Sequence, residues 1–171
     1  MTYSVDDEPD FVDSAVGLWT NEVPQLDTRG KHITNRILRL AEVVTNRMND
    51  VTQSCGIKYS TYAILATLRA SGEPFELTPK ALQALLVVSS GGLSNQLARI
   101  EAMGLIRRSE DPSDGRGVRV SLTLAGRALA DQTMPVQAAA ELDFIRMLSE
   151  DERETLERLL RRVLLVNSIP R

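Results

Sequence analysis

Between Thr78 and Thr123 the spacing of apolar residues changes from helical to strand-like and back, which limits the topology more than any other feature. Thr78-Pro79 sets a capping hydroxyl before a proline at the first helical position, so a short helix begins there and carries Ala81, Leu82, Leu85 and Leu86. After a three-residue turn, Ser89 or Ser90 opens a second helix that runs to Met103, where Gly104 supplies the stop. Leu105 to Arg108 and Val118 to Leu122 then read as two strands, the second alternating Val118, Val120 and Leu122 with Arg119 and Ser121. The stretch Asp111-Pro112-Ser113-Asp114-Gly115-Arg116-Gly117 between them reads as a polar, turn-rich loop.

Longer helices flank this unit. Residues 1–10 read as an acidic, flexible N-terminus, and Phe11 to Trp19 as a short helix with Val12, Ala15, Val16 and Trp19 at helical spacing. From Lys31 to Thr52 the apolar residues Ile33, Ile37, Leu40, Val44, Met48 and Val51 form one stripe on a long helix that Gly56 ends. Ser60 is expected to cap a helix from Thr61 to Ala70, which Gly72 and Pro74 terminate. Thr123 caps a long helix that Pro135 should bend. Ser149 and Glu152 form a capping box for the last helix, whose Leu156, Leu159, Leu160, Val163 and Leu164 share one face.

The fold class is therefore mainly α with a small β-hairpin wing: a winged helix–turn–helix with a helical dimerisation region from both chain ends. One domain is expected over 11–171, with the winged helix–turn–helix at 57–123 and dimerisation helices at 11–56 and 124–171. The small central unit cannot cover the apolar stripes of the terminal helices, so a homodimer is the simplest way to bury them.

Composition removes other classes. Cys55 and His32 are the only residues of their types, which leaves no disulfide, no metal cluster and little material for nucleophile–histidine catalysis. No phosphate-binding glycine loop is present, so neither an enzyme nor a bound cofactor is expected. No run of ~18 apolar residues offers a membrane span, and the acidic N-terminus is unlike a secretory signal; a cytoplasmic protein is expected. Charge is uneven. Met1 to Gly30 carries a net −6 and the remainder a net +3, with six arginines against four acids between Ser90 and Arg127. Such asymmetry fits a nucleic-acid surface on part of the molecule, or ordinary solvated charge.

The second short helix carries Ser90, Gly91, Gly92, Ser94, Asn95, Gln96 and Arg99, with Leu93, Leu97 and Ile100 facing inward. Its first turn lacks bulk, so its N-terminus can approach a groove closely. Asn and Gln pair bidentately with adenine, Ser serves base or phosphate, and free N–H groups attract phosphate. Arg116 on the hairpin can enter a minor groove, with Asp111 and Asp114 as wing support and Asp114 able to hold the guanidinium.

In Ser89-Ser90-Gly91-Gly92 through Leu105-Ile106, in Asp111-Pro112-x-Asp114-x-Arg116, and in Leu122-Thr123-x-x-Gly126-Arg127, the chain resembles the multiple-antibiotic-resistance regulator (MarR) family of winged-helix transcription factors. The resemblance extends from about Phe11 onward. It implies an obligate dimer on double-stranded DNA with a palindromic operator, usually repressing and often relieved by a small aromatic or anionic ligand. Many relatives carry two adjacent arginines in the wing, where this chain has Gly115 and Arg116.

The N-terminal helix with Trp19 and the Ser-Gly-Gly run resemble the urate-responsive branch of that family, which has an extra helix bearing a tryptophan near its ligand pocket. Ala63 and Gln96 stand where that branch has an aspartate and an arginine, so urate is expected to bind poorly. His32, Arg36 and Arg39 lie on one flank of the long helix. In the fold that the resemblance implies, Trp19 and Tyr62 lie nearby, and with them these residues form the candidate site for an aromatic acid or its acyl thioester. The same cations can instead pair with the acidic N-terminus. Two other readings stay open: a redox-sensing regulator acting through Cys55, and an interaction module that does not bind DNA.

Overall fold

Asp10 opens the first helix of the computed structural model, which describes residues 8–86, 90–111 and 114–168. Its carboxylate accepts from the amides of Val12 and Asp13, at 2.7 and 3.2 Å, while Asp13 accepts from the Asp10 amide at 3.1 Å. This reciprocal capping box starts α1 (Phe11–Glu22), which runs three residues past the expected end. Val12 and Val16 are buried and Trp19 is half-exposed. The following helix, α2 (Arg29–Gln53), starts two residues before the expected Lys31, where Asp27 accepts from the Arg29 amide.

The chain forms two compact units, Met1–Arg47 and Met48–Arg171. In the first, Arg36 of α2 donates to Asp10 and to Asp13, both at 2.8 Å, tying α1 to α2.

In the second unit Gly56 takes a left-handed conformation (φ 78°), and α3 (Tyr59–Ala70) follows. Ser60 does not cap it. Lys58 holds the cap position without a side-chain bond, and the Tyr59 amide instead donates to Asn49 Oδ1 at 3.1 Å. Then come β1 (Glu76–Leu77), α4 (Pro79–Leu85), α5 (Ser90–Ala102), β2 (Ile106–Asp111), β3 (Asp114–Leu122), α6 (Leu124–Phe144) and α7 (Glu150–Ser168). The expected turn before α5 falls on Val87 to Ser89, outside the described residues.

The strands form one antiparallel sheet in the order β1-β3-β2. Two residues cannot show an alternation, so β1 escaped the sequence reading. The hairpin is also longer than expected: pairing reaches Asp111 and Asp114, with an irregularity after Glu110. Residues 111 and 114–117 therefore belong to strands rather than to a loop. Cross-strand hydrogen bonds satisfy backbone groups whatever the side chain, so polar residues near a hairpin tip continue the ladder.

Ile64, Leu65 and Leu68 of α3 meet Leu82, Leu93, Leu97, Ile100, Ile106, Val120 and Ala130 in one core, while Leu85 stays exposed. The α6 junction closes against this core. The Thr123 hydroxyl accepts from the Gly126 amide at 3.0 Å and donates to the Gly104 carbonyl at 2.7 Å, and the Thr123 amide donates to the Leu105 carbonyl at 3.1 Å. The α6 helix continues through Pro135. At α7, Glu152 accepts from the Ser149 amide at 2.7 Å as the capping box requires, yet no residue of α7 is buried.

Candidate nucleic-acid interface

The alternation of burial along α5 builds the site. Leu93, Leu97 and Ile100 recur at steps of four and three and go into the core, which turns the opposite face outward. Gly91, Ser94, Asn95 and Arg99 lie exposed on that face. Gln96 differs: it is half-buried, and its Oε1 has no hydrogen-bond partner among the described residues. Ser90 begins the helix, although its side chain lies outside the described set, as do those of Asp111, Asp114 and Arg116. Their backbones place Asp111 at the end of β2, and Asp114 and Arg116 at the start of β3, beside the hairpin tip.

The base of the hairpin is held on two sides. Both oxygens of Glu101, near the end of α5, bind Arg108 of β2: Oε1 accepts from the main-chain amide at 2.8 Å and Oε2 from Nε at 2.7 Å. Hydrogen bonds from Arg108 hold the Glu101 carboxyl below the usual carboxylate range. Across the sheet, Arg119 lies 3.4 Å from Glu76 of β1. The sequence reading missed Glu101 and Arg108, because no periodicity relates a helix residue to a strand residue seven positions on. A cleft of about 350 Å³ separates α4, α5 and the hairpin, with Lys80, Ser94 and Arg108 along its walls.

Residues 56–117, from the end of the α2–α3 turn to the first residues of β3, match the family model described as MarR family. The chain is 30% identical over 152 residues to the HTH-type transcriptional regulator PecS of Dickeya dadantii, covering 89% of this chain and 92% of that protein. It is also 30% identical over 131 residues to the multiple antibiotic resistance protein MarR of Escherichia coli, covering 75% and 89% of the two chains. The chain belongs to the MarR family. Among solved structures, a cysteine-to-serine mutant of Escherichia coli MarR complexed with operator DNA superposes with a TM-score of 0.71 at 26% identity, covering 86% of this chain and 98% of that one. This MarR-family protein is a DNA-binding transcriptional regulator with a winged helix–turn–helix, and its relatives are regulators rather than enzymes. No helix among the described residues is long and apolar enough to cross a membrane.

The effector candidates of this MarR-family chain fall in both units. In the first, His32 Nδ1 lies 3.5 Å from Asp13 Oδ1, and Arg36 is held by Asp13 and Asp10. Arg39 pairs with Glu42 at 2.7 Å and its guanidinium lies 5.8 Å from the Phe11 ring centre. Lys31 covers Trp19, its Nζ 4.2 Å from the ring centre. The cations thus already have carboxylate or aromatic partners. The Arg36 hydrogen bond holds Asp13 below the usual carboxylate range, so this pairing is complete at neutral pH and is lost only as pH falls through that lowered value. In the second unit Tyr62 lies 6.0 Å from Tyr59, and burial, then the charge of Glu141, pushes both phenols up. Cys55 sits half-buried in the turn after α2, its Sγ 3.8 Å from the Ser54 hydroxyl.

Proposed function

We propose that the protein is a homodimeric repressor of the cytoplasm that grips a palindromic operator and is released from it by a small aromatic or anionic effector. The observation that carries the DNA contact is the two-faced α5: a helix pinned by Leu93, Leu97 and Ile100 that presents Gly91, Ser94, Asn95 and Arg99 beside a two-stranded wing. In this reading Ser90, Gly91, Ser94, Asn95, Gln96 and Arg99 enter a major groove. Arg116 reaches the neighbouring minor groove, supported by Asp111 and Asp114. The stripes on α2 and α7 meet a second copy of the chain.

Arg116→Ala tests the wing. Its expected cost is about 1–3 kcal/mol for each lost groove contact, with a shallower salt dependence where phosphate neutralisation is lost too. The measurement is a fluorescence titration of an operator duplex recovered by the wild-type protein from a random-sequence pool. Unchanged affinity and salt slope would remove the wing from the interface.

The effector reading rests on the first unit, where Trp19 supplies a flat surface and Arg36 and Arg39 supply cations beside the His32 imidazole. Because Asp10 and Asp13 already hold Arg36, an anionic effector must displace carboxylates to bind it. An aromatic acid or its acyl thioester offers the same charge together with a ring. Bound there, it shifts the spacing of the two recognition helices away from the ~34 Å that successive major grooves require. Urate and a panel of aromatic acids and thioesters are titrated against the operator complex, with Trp19 fluorescence and DNA release followed together. The expected result is release by an aromatic acid or thioester and poor binding of urate, since Ala63 and Gln96 supply no charged pair. Tight release by urate overturns the argument from those two residues, and release by none of the panel overturns the site.

A further inference from the structure

We infer that Glu101 is a positioning residue for DNA binding: it locks the wing hairpin to the recognition helix so that both meet the duplex as one piece. The inference rests on the reading of α5 and Arg116 as DNA contacts. Only Met103, Gly104 and Leu105 separate Ala102, the end of α5, from Ile106, the start of β2, and Gly104 takes a left-handed conformation there (φ 73°). A glycine at such a junction is the point where a hairpin can swing against a helix. The Glu101–Arg108 contact spans that point.

Three features make it a lock rather than a surface ion pair. First, β2 is an edge strand with β3 as its single neighbour, so the Arg108 amide that faces away from β3 needs an acceptor from outside the sheet. Glu101 Oε1 supplies it at 2.8 Å. Second, the other oxygen takes the guanidinium through Nε at 2.7 Å and the terminal nitrogen at 2.5 Å, so backbone and side chain of one residue are both held. Third, the two groups are only about a third exposed, 31% for Glu101 and 39% for Arg108, which limits competition from water. Arg108 is thereby committed to the hairpin base and is not a free cation for phosphate. Without the carboxylate, Ile106 and Val120 still seat the base of the hairpin in the core, but β2 beyond them loses its tie to α5, and Arg116 at the far end of the hairpin is displaced most.

A double-mutant cycle distinguishes this from a general loss of stability, because residues coupled through one element are non-additive whereas independent ones add. The probe is the operator duplex recovered from the random-sequence pool. Arg116→Ala is expected to weaken binding on the order of tenfold in the wild-type background, but about twofold or less once Glu101→Ala has released the hairpin. Glu101→Gln, which keeps one oxygen for the Arg108 amide and loses the charge, is expected to fall between. It decides the matter if Glu101→Ala does not fold. A full Arg116 effect in both Glu101 backgrounds overturns the lock alone. Absence of any Arg116 effect in the wild-type background overturns the wing reading, and the lock with it.

Discussion

Gly126→Ala is expected to destabilise the winged unit severely, because Gly126 alone among the glycines Gly17, Gly30, Gly56, Gly72, Gly91, Gly104 and Gly126 has atoms where a Cβ would stand. A Cβ built at Gly126 would lie 1.9 Å from the Leu105 carbonyl oxygen and 2.9 Å from its carbon. Those atoms are backbone, so no side-chain rotation relieves the overlap. The same carbonyl accepts from the Thr123 amide, and the Gly126 amide donates to the Thr123 hydroxyl, so moving either segment breaks the cap that starts α6. Overpacking at a site that cannot yield costs about 3 kcal/mol, and loss of the cap adds about 1 kcal/mol. Chemical denaturation followed by circular dichroism should show a midpoint far below wild type. A midpoint within experimental scatter of wild type would mean that α6 does not approach Leu105 this closely.

Leu160→Glu is expected to abolish dimerisation. No residue of α7 is buried in the single chain, and Leu156, Leu159, Leu160 and Val163 remain 39–48% exposed although they share one face. A four-residue apolar stripe left in water is a strong driving force for association, each fully buried side chain contributing about 1.5–3 kcal/mol. A carboxylate in its centre would be buried without a partner in both copies. A penalty of about 3 kcal/mol for each carboxylate, about 6 kcal/mol for the dimer, corresponds to a rise in the dimer Kd of roughly ten-thousandfold. Sedimentation at micromolar concentration should show a wild-type dimer and a monomeric or unfolded variant. A monomeric wild type of ordinary stability would overturn the interface.

Much of the fold was legible because its signals are local. The caps at Thr78, Thr123 and Ser149, the stop at Gly104 and the apolar steps of α5 each depend on residues within one or two turns. Backbone hydrogen bonding and side-chain reach operate over that range. The exposed face of α5 followed from the same periodicity, since fixing Leu93, Leu97 and Ile100 inward leaves Ser94, Asn95 and Arg99 outward. Local reading erred where a distant group took over. Asn49 rather than Ser60 receives the first amide of α3, and β1 exists only because β3 lies beside it.

The candidate effector residues show the same division. Sequence spacing put His32, Arg36 and Arg39 on one flank of α2, but not what that flank meets. Asp10 and Asp13, whose local role is to cap α1, also neutralise Arg36 from 26 and 23 residues away. Likewise Gly126 stood in the sequence as part of a junction motif, while the carbonyl that forbids a side chain there belongs to Leu105. The sequence by itself determined the order of helices and hairpin, the two faces of the recognition helix and the family. Tertiary structure alone decided which charges are already paired, which glycine cannot change, and that Glu101 and Arg108 meet. Helical and strand periods are written in neighbouring residues, whereas pairings across elements depend on how those elements pack.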